Sequence, residues 1–320
     1  MKSTTMLPII VTVAIVMIDI VASSPASQGQ EPAKRPPMTD PQQFAQISWD
    51  TSHAGRPIDL TQYRRTFNED FKTMNIVKED SSPGPEAVWF SPGHGAYRTN
   101  APLRKDGPFQ LVDDGLRLRV DNVGKGWLGA CMATVNTKGE GFAQQYGYFE
   151  ATIRYDYTPP GRGIWGAFWA KSQKDYFTNG TTTRTEIDFN EFYGDNNYHA
   201  TVHLWPAAKL QPGETITKHI QASGLKQIGQ NAFKPLKAEG GGAVKGFHSY
   251  GGEITPEWVI MYFDRKELGR FPTMEEWKTP VYMLLDLVVN EQEEAKAVFP
   301  MDMVVKNVSA YLPQIPYPEK

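Results

Sequence analysis

The apolar and polar positions of this chain alternate with the period of two that marks half-buried strands. From Gly115 to Asn122 leucines alternate with arginines, and Tyr146 to Tyr157 is dense in aromatic and β-branched residues. Runs of similar pattern follow at Ile164 to Ala170, Glu186 to Tyr193, Tyr198 to Trp205, Trp258 to Asp264, Val281 to Val289 and Met303 to Tyr311. Turn-forming Gly, Pro, Asn and Asp residues separate them. Short strands without long amphipathic helices predict an all-β sandwich of two sheets. The stretch from Gln211 to Gly252 has several glycines and few strand signals, and is expected to be a long loop edging a cleft. No internal repeat is evident.

One strand breaks the pattern. In Glu186-Ile187-Asp188-Phe189-Asn190-Glu191, Ile187 and Phe189 are two apart, but the next apolar residue, Phe192, lies three further on. The acids skip at the same place. A regular strand would set Glu191 on the face opposite Glu186 and Asp188; one extra residue near Asn190 returns it to theirs. The spacing therefore predicts a β-bulge, with three carboxylates on one face and a core on the other. Like charges crowded on one face disfavour a strand, so the arrangement points to a working site. The alternatives are a solvated acidic edge or a calcium site.

With the bulge, Glu186 and Glu191 are four strand steps apart, about 13 Å at about 3.3 Å per step. Side chains leaning together would leave their carboxyls about 5 to 6 Å apart, nearer the spacing of a retaining glycosidase than of an inverting one. Crowded carboxylates cannot all ionise freely, which divides them into an ionised nucleophile and a protonated acid. Asp188, between the two, can orient one and tune the other.

The next run adds candidates. His199, Thr201, His203 and Trp205 share a face opposite Ala200, Val202 and Leu204, and a short turn after Gly194 would lay that face beside the acids. Either histidine could hold a carboxylate rotamer or be merely structural. Trp165 and Trp169 share a face across small Ala167, suited to stacking on a sugar ring or to core packing. Asp286 and Asn290 lie opposite a wholly apolar set, as cleft-lining groups for sugar hydroxyls or as solvated positions.

Composition restricts the classes. The 320 residues are 40% hydrophobic and 22% charged, an ordinary globular balance. A net charge of −3 gives no sign of a nucleic-acid partner. The 8 Trp, 14 Tyr and 16 Phe suit sugar faces as well as β cores. The single cysteine, Cys131, rules out an intramolecular disulfide and reads as a buried small hydrophobe. Lys2, the apolar stretch Met6 to Ala22 and the small residues Ser23 to Ser27 read as an export signal, residues 1–26, cleaved near Ala26. Asp19 interrupts the stretch, and an uncleaved anchor is the alternative. Residues 27–45 read as a flexible linker, leaving residues 46–320 as one catalytic domain.

With these residues in place, the chain resembles glycoside hydrolase family 16, the laminarinases, lichenases, agarases and carrageenases. Glu186 to Glu191 is similar to the family's Glu-x-Asp-x-x-Glu, and Tyr146 to Ala151 to its Tyr-Gly-Arg-Phe-Glu-Ala. Gly163 to Trp169 is similar to its Gly-x-Trp-Pro-Ala-Phe-Trp, with Gly166 for proline. His199 to His203 is similar to its His-Gly-Thr-x-His; Thr255 to Trp258 and the strand after Pro280 also fit. The resemblance runs from Phe67 to Tyr311. It implies a concanavalin A-like β-jelly-roll with an open cleft for internal cleavage of polysaccharides. It further implies Glu186 as nucleophile, Glu191 as general acid/base and Asp188 as assisting carboxylate, with no cofactor and no catalytic metal. The expectation is a secreted or periplasmic β-glycanase, β-glucan favoured, acting as a monomer free of the membrane after signal cleavage. A lectin-like binder or a transglycosylase on the same fold are the rivals. Lys306 stands where the family often places a calcium-binding Asp, so no calcium is expected there. Asp286 replaces a usual Asn, and Asn290-Glu291 replace usual glycines.

Overall fold

The structure is a computed structural model. It describes residues 47–91, 108–122, 127–157, 163–178, 182–194, 198–206, 220–223 and 246–318. The chain divides into units Met1–Pro36 and Pro37–Lys320, and all of these residues belong to the second. The expected signal and linker fall outside them.

Seventeen strands are found among the described residues. The first seven are β1 (Tyr63–Glu69), β2 (Ile76–Lys78), β3 (Trp89–Ser91), β4 (Phe109–Val112), β5 (Gly115–Asn122), β6 (Trp127–Leu128) and β7 (Ala130–Ala133). Then come β8 (Gly147–Asp156), β9 (Ile164–Ser172), β10 (Arg184–Phe192), β11 (His199–Trp205) and β12 (Ile220–Ser223). The last five are β13 (His248–Ile254), β14 (Trp258–Phe263), β15 (Lys266–Pro272), β16 (Val281–Val289) and β17 (Met301–Pro313).

They form two sheets. One runs β15-β14-β13-β8-β17-β5-β4, with β1 also on β17 and β6 on β5. The other runs β12-β11-β10-β9-β16-β7-β3-β2. All pairings are antiparallel except β2 with β3. The fold is thus the expected two-layer jelly-roll sandwich.

The core lies between the sheets, and period two selects its members. From β16 come Val281, Met283, Leu285, Leu287 and Val289; from β10 come Ile187, Phe189 and Phe192. Phe189 stacks on Phe149 of the facing sheet, centroids 5.7 Å apart. Fully burying each such ring stabilises by roughly 1.5–3 kcal/mol. The opposite set of β16 and β9 turns outward, where Ala167, Trp169, Tyr282 and Leu284 form a second cluster with Cys131, Ala133 and Val135.

The expected loop from Gln211 to Gly252 is corrected at both ends. Ile220–Ser223 pairs with β11, and His248–Ile254 lies between β14 and β8. Gly251 and Gly252 concealed the second strand. They are there because a Cβ at Gly252 would strike the ring of Phe189, and one at Gly251 the hydroxyl of Tyr148. The rest of that stretch lies outside the described residues. Lys306 is exposed on β17, its ammonium 5.6 Å from the Phe247 ring centroid.

Candidate active site

The site is built on β10 and its two neighbours. Against β11, Asp188 pairs with Thr201 but Glu191 pairs with His199, a slip of one residue. Against β9, the slip lies between Asp188 and Asn190. The chain accommodates the extra residue through the core. The Tyr198 hydroxyl donates to the Phe189 carbonyl, and the Asn190 amide donates to the Tyr155 hydroxyl at 2.8 Å. The Phe189 carbonyl and the Asn190 side-chain amide both thereby have partners away from water. The consequence is that Glu186, Asp188 and Glu191 share the outer face while Ile187, Phe189 and Phe192 enter the core.

Rows of side chains cross this outer face. His203, Glu186, Lys171 and Tyr282 form one row; Thr201, Asp188, Trp169 and Leu284 the next; His199, Glu191, Ala167, Asp286 and Cys131 the third. Arg184 lies beyond Glu186, beside Trp205.

Each acid is held differently. Glu186 accepts a hydrogen bond from the Trp205 indole at 3.2 Å, and its other oxygen is 3.7 Å from His203 Nε2. Lys171 Nζ lies 3.9 Å from Glu186 Oε2. Glu191 accepts from the Tyr193 hydroxyl at 2.6 Å and from the Thr201 hydroxyl at 2.8 Å, one donor per oxygen. Asp188 Oδ2 is 2.9 Å from His203 Nε2. Burial, then the charges of Glu191 and Glu186, push the Asp188 carboxyl well above the usual range. Burial lowers the pKa of His203, opposed by the acids around it. His203 and Asp188 thus share a hydrogen bond between the two flanking glutamates.

Ligand atoms of Glu186, Asp188 and His203 lie within 4.8 Å of one another. The buried Lys171 ammonium, 3.9 Å from Glu186, opposes a second cation there.

The remaining candidates separate. Trp169 is only 3% exposed, and its indole donates to Asp286 Oδ1 at 2.6 Å, so its ring packs rather than presents a face. Asp286 is buried too; burial pushes its carboxyl well up, and its Oδ2 has no hydrogen-bond partner. Trp165 and Trp205 are half-buried and keep some ring surface exposed. Trp165 leans on Tyr193, centroids 5.9 Å apart, and Trp205 stacks on His203 at 5.2 Å. His199 meets the Tyr193 ring edge-on, and Asn290 is half-buried just past the end of β16.

Three contacting groups were absent from the expected set. Tyr193 and Lys171 lie two residues beyond Glu191 and Trp169 on the same faces, so strand alternation carried the signal for both. Thr201 was placed on the right face without a role.

Endo-1,3-1,4-beta-glycanase EglC of Rhizobium meliloti (strain 1021) is 26% identical over 272 residues, covering 77% of this chain and 51% of that protein. Endo-1,3-1,4-beta-glycanase ExsH of the same organism is also 26% identical, over 72% of this chain and 47% of its own. The chain spans about half the length of these curated relatives. Among solved structures, SCLam, a non-specific endo-beta-1,3(4)-glucanase, superposes with a TM-score of 0.55 at 16% identity, over 85% of this chain and 99% of that one. The laminarinase from Rhodothermus marinus gives 0.54 at 21%, over 78% and 97%. These likenesses establish the fold. Residues 103–290, which carry the acidic strand and both its neighbours, match the sequence family Glycosyl hydrolases family 16, and the chain belongs to that family.

Proposed function

We propose that this chain is an exported, endo-acting, retaining β-glycanase that cleaves β-linked glucan. The observation that carries the reading is the register slip in β10, which sets Glu186, Asp188 and Glu191 on one face with separate partners for each. Glu186 attacks the anomeric carbon and Glu191 protonates the departing glycosidic oxygen. Glu191 then takes a proton from water, and that water displaces Glu186 from the sugar. Two displacements return the original configuration. Asp188, hydrogen-bonded to His203 and with its pKa raised by burial and by both glutamates, titrates together with them.

The substrate class is supported by the relatives, an endo-1,3-1,4-beta-glycanase and an endo-beta-1,3(4)-glucanase. Trp165 and Trp205 supply ring surface for the sugar. Export is supported by Lys2 and the apolar stretch Met6 to Ala22. Among the described residues no helix is long and apolar enough to cross a membrane. We assign the working form as a monomer.

The test is release of reducing ends from mixed-linkage β-glucan and from laminarin. The wild type is expected to release oligosaccharides of intermediate length, and Glu186→Gln to release none. Glu191→Gln should lose about 10²–10⁴-fold on polysaccharide, where acid assistance is needed. Glucan binding without turnover by the wild type would reject the reading.

A further inference from the structure

Lys171 has no role in the mechanism above, yet it occupies the position directly across from Glu186 on β9. Its side chain is 3% exposed, its Nζ is 3.9 Å from Glu186 Oε2, and the Trp169 ring centroid lies 5.9 Å from that nitrogen. Burial pulls its pKa down, while the charges of Glu186, Asp175 and Asp188 hold the proton on and Arg184 works against them. Burying an ammonium here carries a desolvation cost that an apolar side chain would avoid.

We propose that Lys171 is a positioning residue for the second displacement, stabilising the carboxylate charge that returns to Glu186 as the sugar leaves. This rests on Glu186 being the nucleophile. In the first displacement Glu186 spends its negative charge on the bond to C1, so attraction to Lys171 is lost on the way to that transition state. In the second, water oxygen attacks C1 and the C1–Oε bond breaks. The bonding pair returns to Glu186 as carboxylate, and the water proton passes to Glu191. The ammonium is then gaining an anion, and in a site shielded from water this attraction is far stronger than in solvent. Lys171 thus speeds release of the covalent intermediate rather than its formation.

The test uses a 2,4-dinitrophenyl β-glucan oligosaccharide, whose good leaving group makes the second displacement limiting. Lys171→Met should lower kcat by about tenfold and KM by at least as much, so that kcat/KM does not fall. Dinitrophenol should appear as a burst of one equivalent followed by the slower steady rate. The intact variant should gain the mass of one glycosyl group during turnover. Lys171→Arg should restore the steady rate. If Lys171→Met fails to fold, Lys171→Gln keeps a polar stem and reads the same quantities.

A fall in kcat/KM equal to the fall in kcat, without accumulated intermediate, would reduce Lys171 to a support for the sheet and overturn the proposal. An unchanged kcat would overturn it too. Absence of turnover by the wild type would defeat the functional reading itself. Wild-type turnover with no intermediate in the variant defeats only the role of Lys171.

Discussion

Tyr198 donates its hydroxyl proton to the main-chain carbonyl of Phe189, the residue at which β10 slips register. The ring is buried between the sheets, stacked near Tyr250 and edge-on to Phe263. A core residue on the neighbouring strand thereby fixes a bulge whose effect is felt on the opposite face. Tyr198→Phe keeps the packing and leaves the carbonyl unpaired, a cost of about 1–3 kcal/mol. For a domain of this size that corresponds to a fall in Tm of roughly 2–4 °C per kcal/mol. Activity should fall further than in a core variant of equal Tm loss, because the phase of Glu191 depends on the bulge. Calorimetry and glucan assays on Tyr198→Phe and Val259→Ala make the comparison.

Gly252 is fixed by the same bulge from the facing sheet. Phe189 fills the space where its Cβ would stand. Gly252→Ala must displace the ring that anchors the slipped strand, so a loss of about 1–3 kcal/mol is expected. Gly84→Ala, with open space around the new methyl, should be close to neutral. Chemical denaturation of both variants tests this; an equal effect would refute the packing account.

Two acids, buried Asp286 and half-buried Asp175, set a pH dependence of stability. Asp286 is pushed well above the usual carboxylate range by burial, and Asp175 is pushed up to about 6 by burial. Each folded-state pKa lies above the unfolded value, so the native state holds more protons than the unfolded chain. Stability from both groups is present below about pH 4, the unfolded range, and falls as pH rises through the folded values. For Asp175 that window is about pH 4 to about 6. Asp286→Asn and Asp175→Asn should each raise Tm at pH 7, with the gain vanishing near pH 4. Asp286→Asn can also still accept the Trp169 hydrogen bond, so activity should survive. A gain that grows toward acid pH would show the sign to be wrong.

Much of this was legible in the sequence because alternation is a local property. The strands Gly115–Asn122 and Val281–Val289 were expected at the bounds observed, and the bulge followed from the uneven spacing of Ile187, Phe189 and Phe192. What stayed hidden depended on distant partners. The glycines of β13 read as loop until the rings of Phe189 and Tyr148 are seen to occupy their side-chain space. Trp169 and Asp286 each offered a cleft-lining pattern, but their mutual hydrogen bond takes them into the packing instead. Lys171 escaped notice because β9 was expected to end at Ala170 and continues to Ser172.

The most direct measurement is the configuration of the first sugar released from mixed-linkage β-glucan, followed by proton NMR before mutarotation. Attack by Glu186, with Glu191 protonating the oxygen that departs from the opposite side of the sugar, yields the β-anomer first, with the α-anomer growing in slowly. Initial appearance of the α-anomer would mean a single inverting displacement and would contradict the mechanism built on this strand.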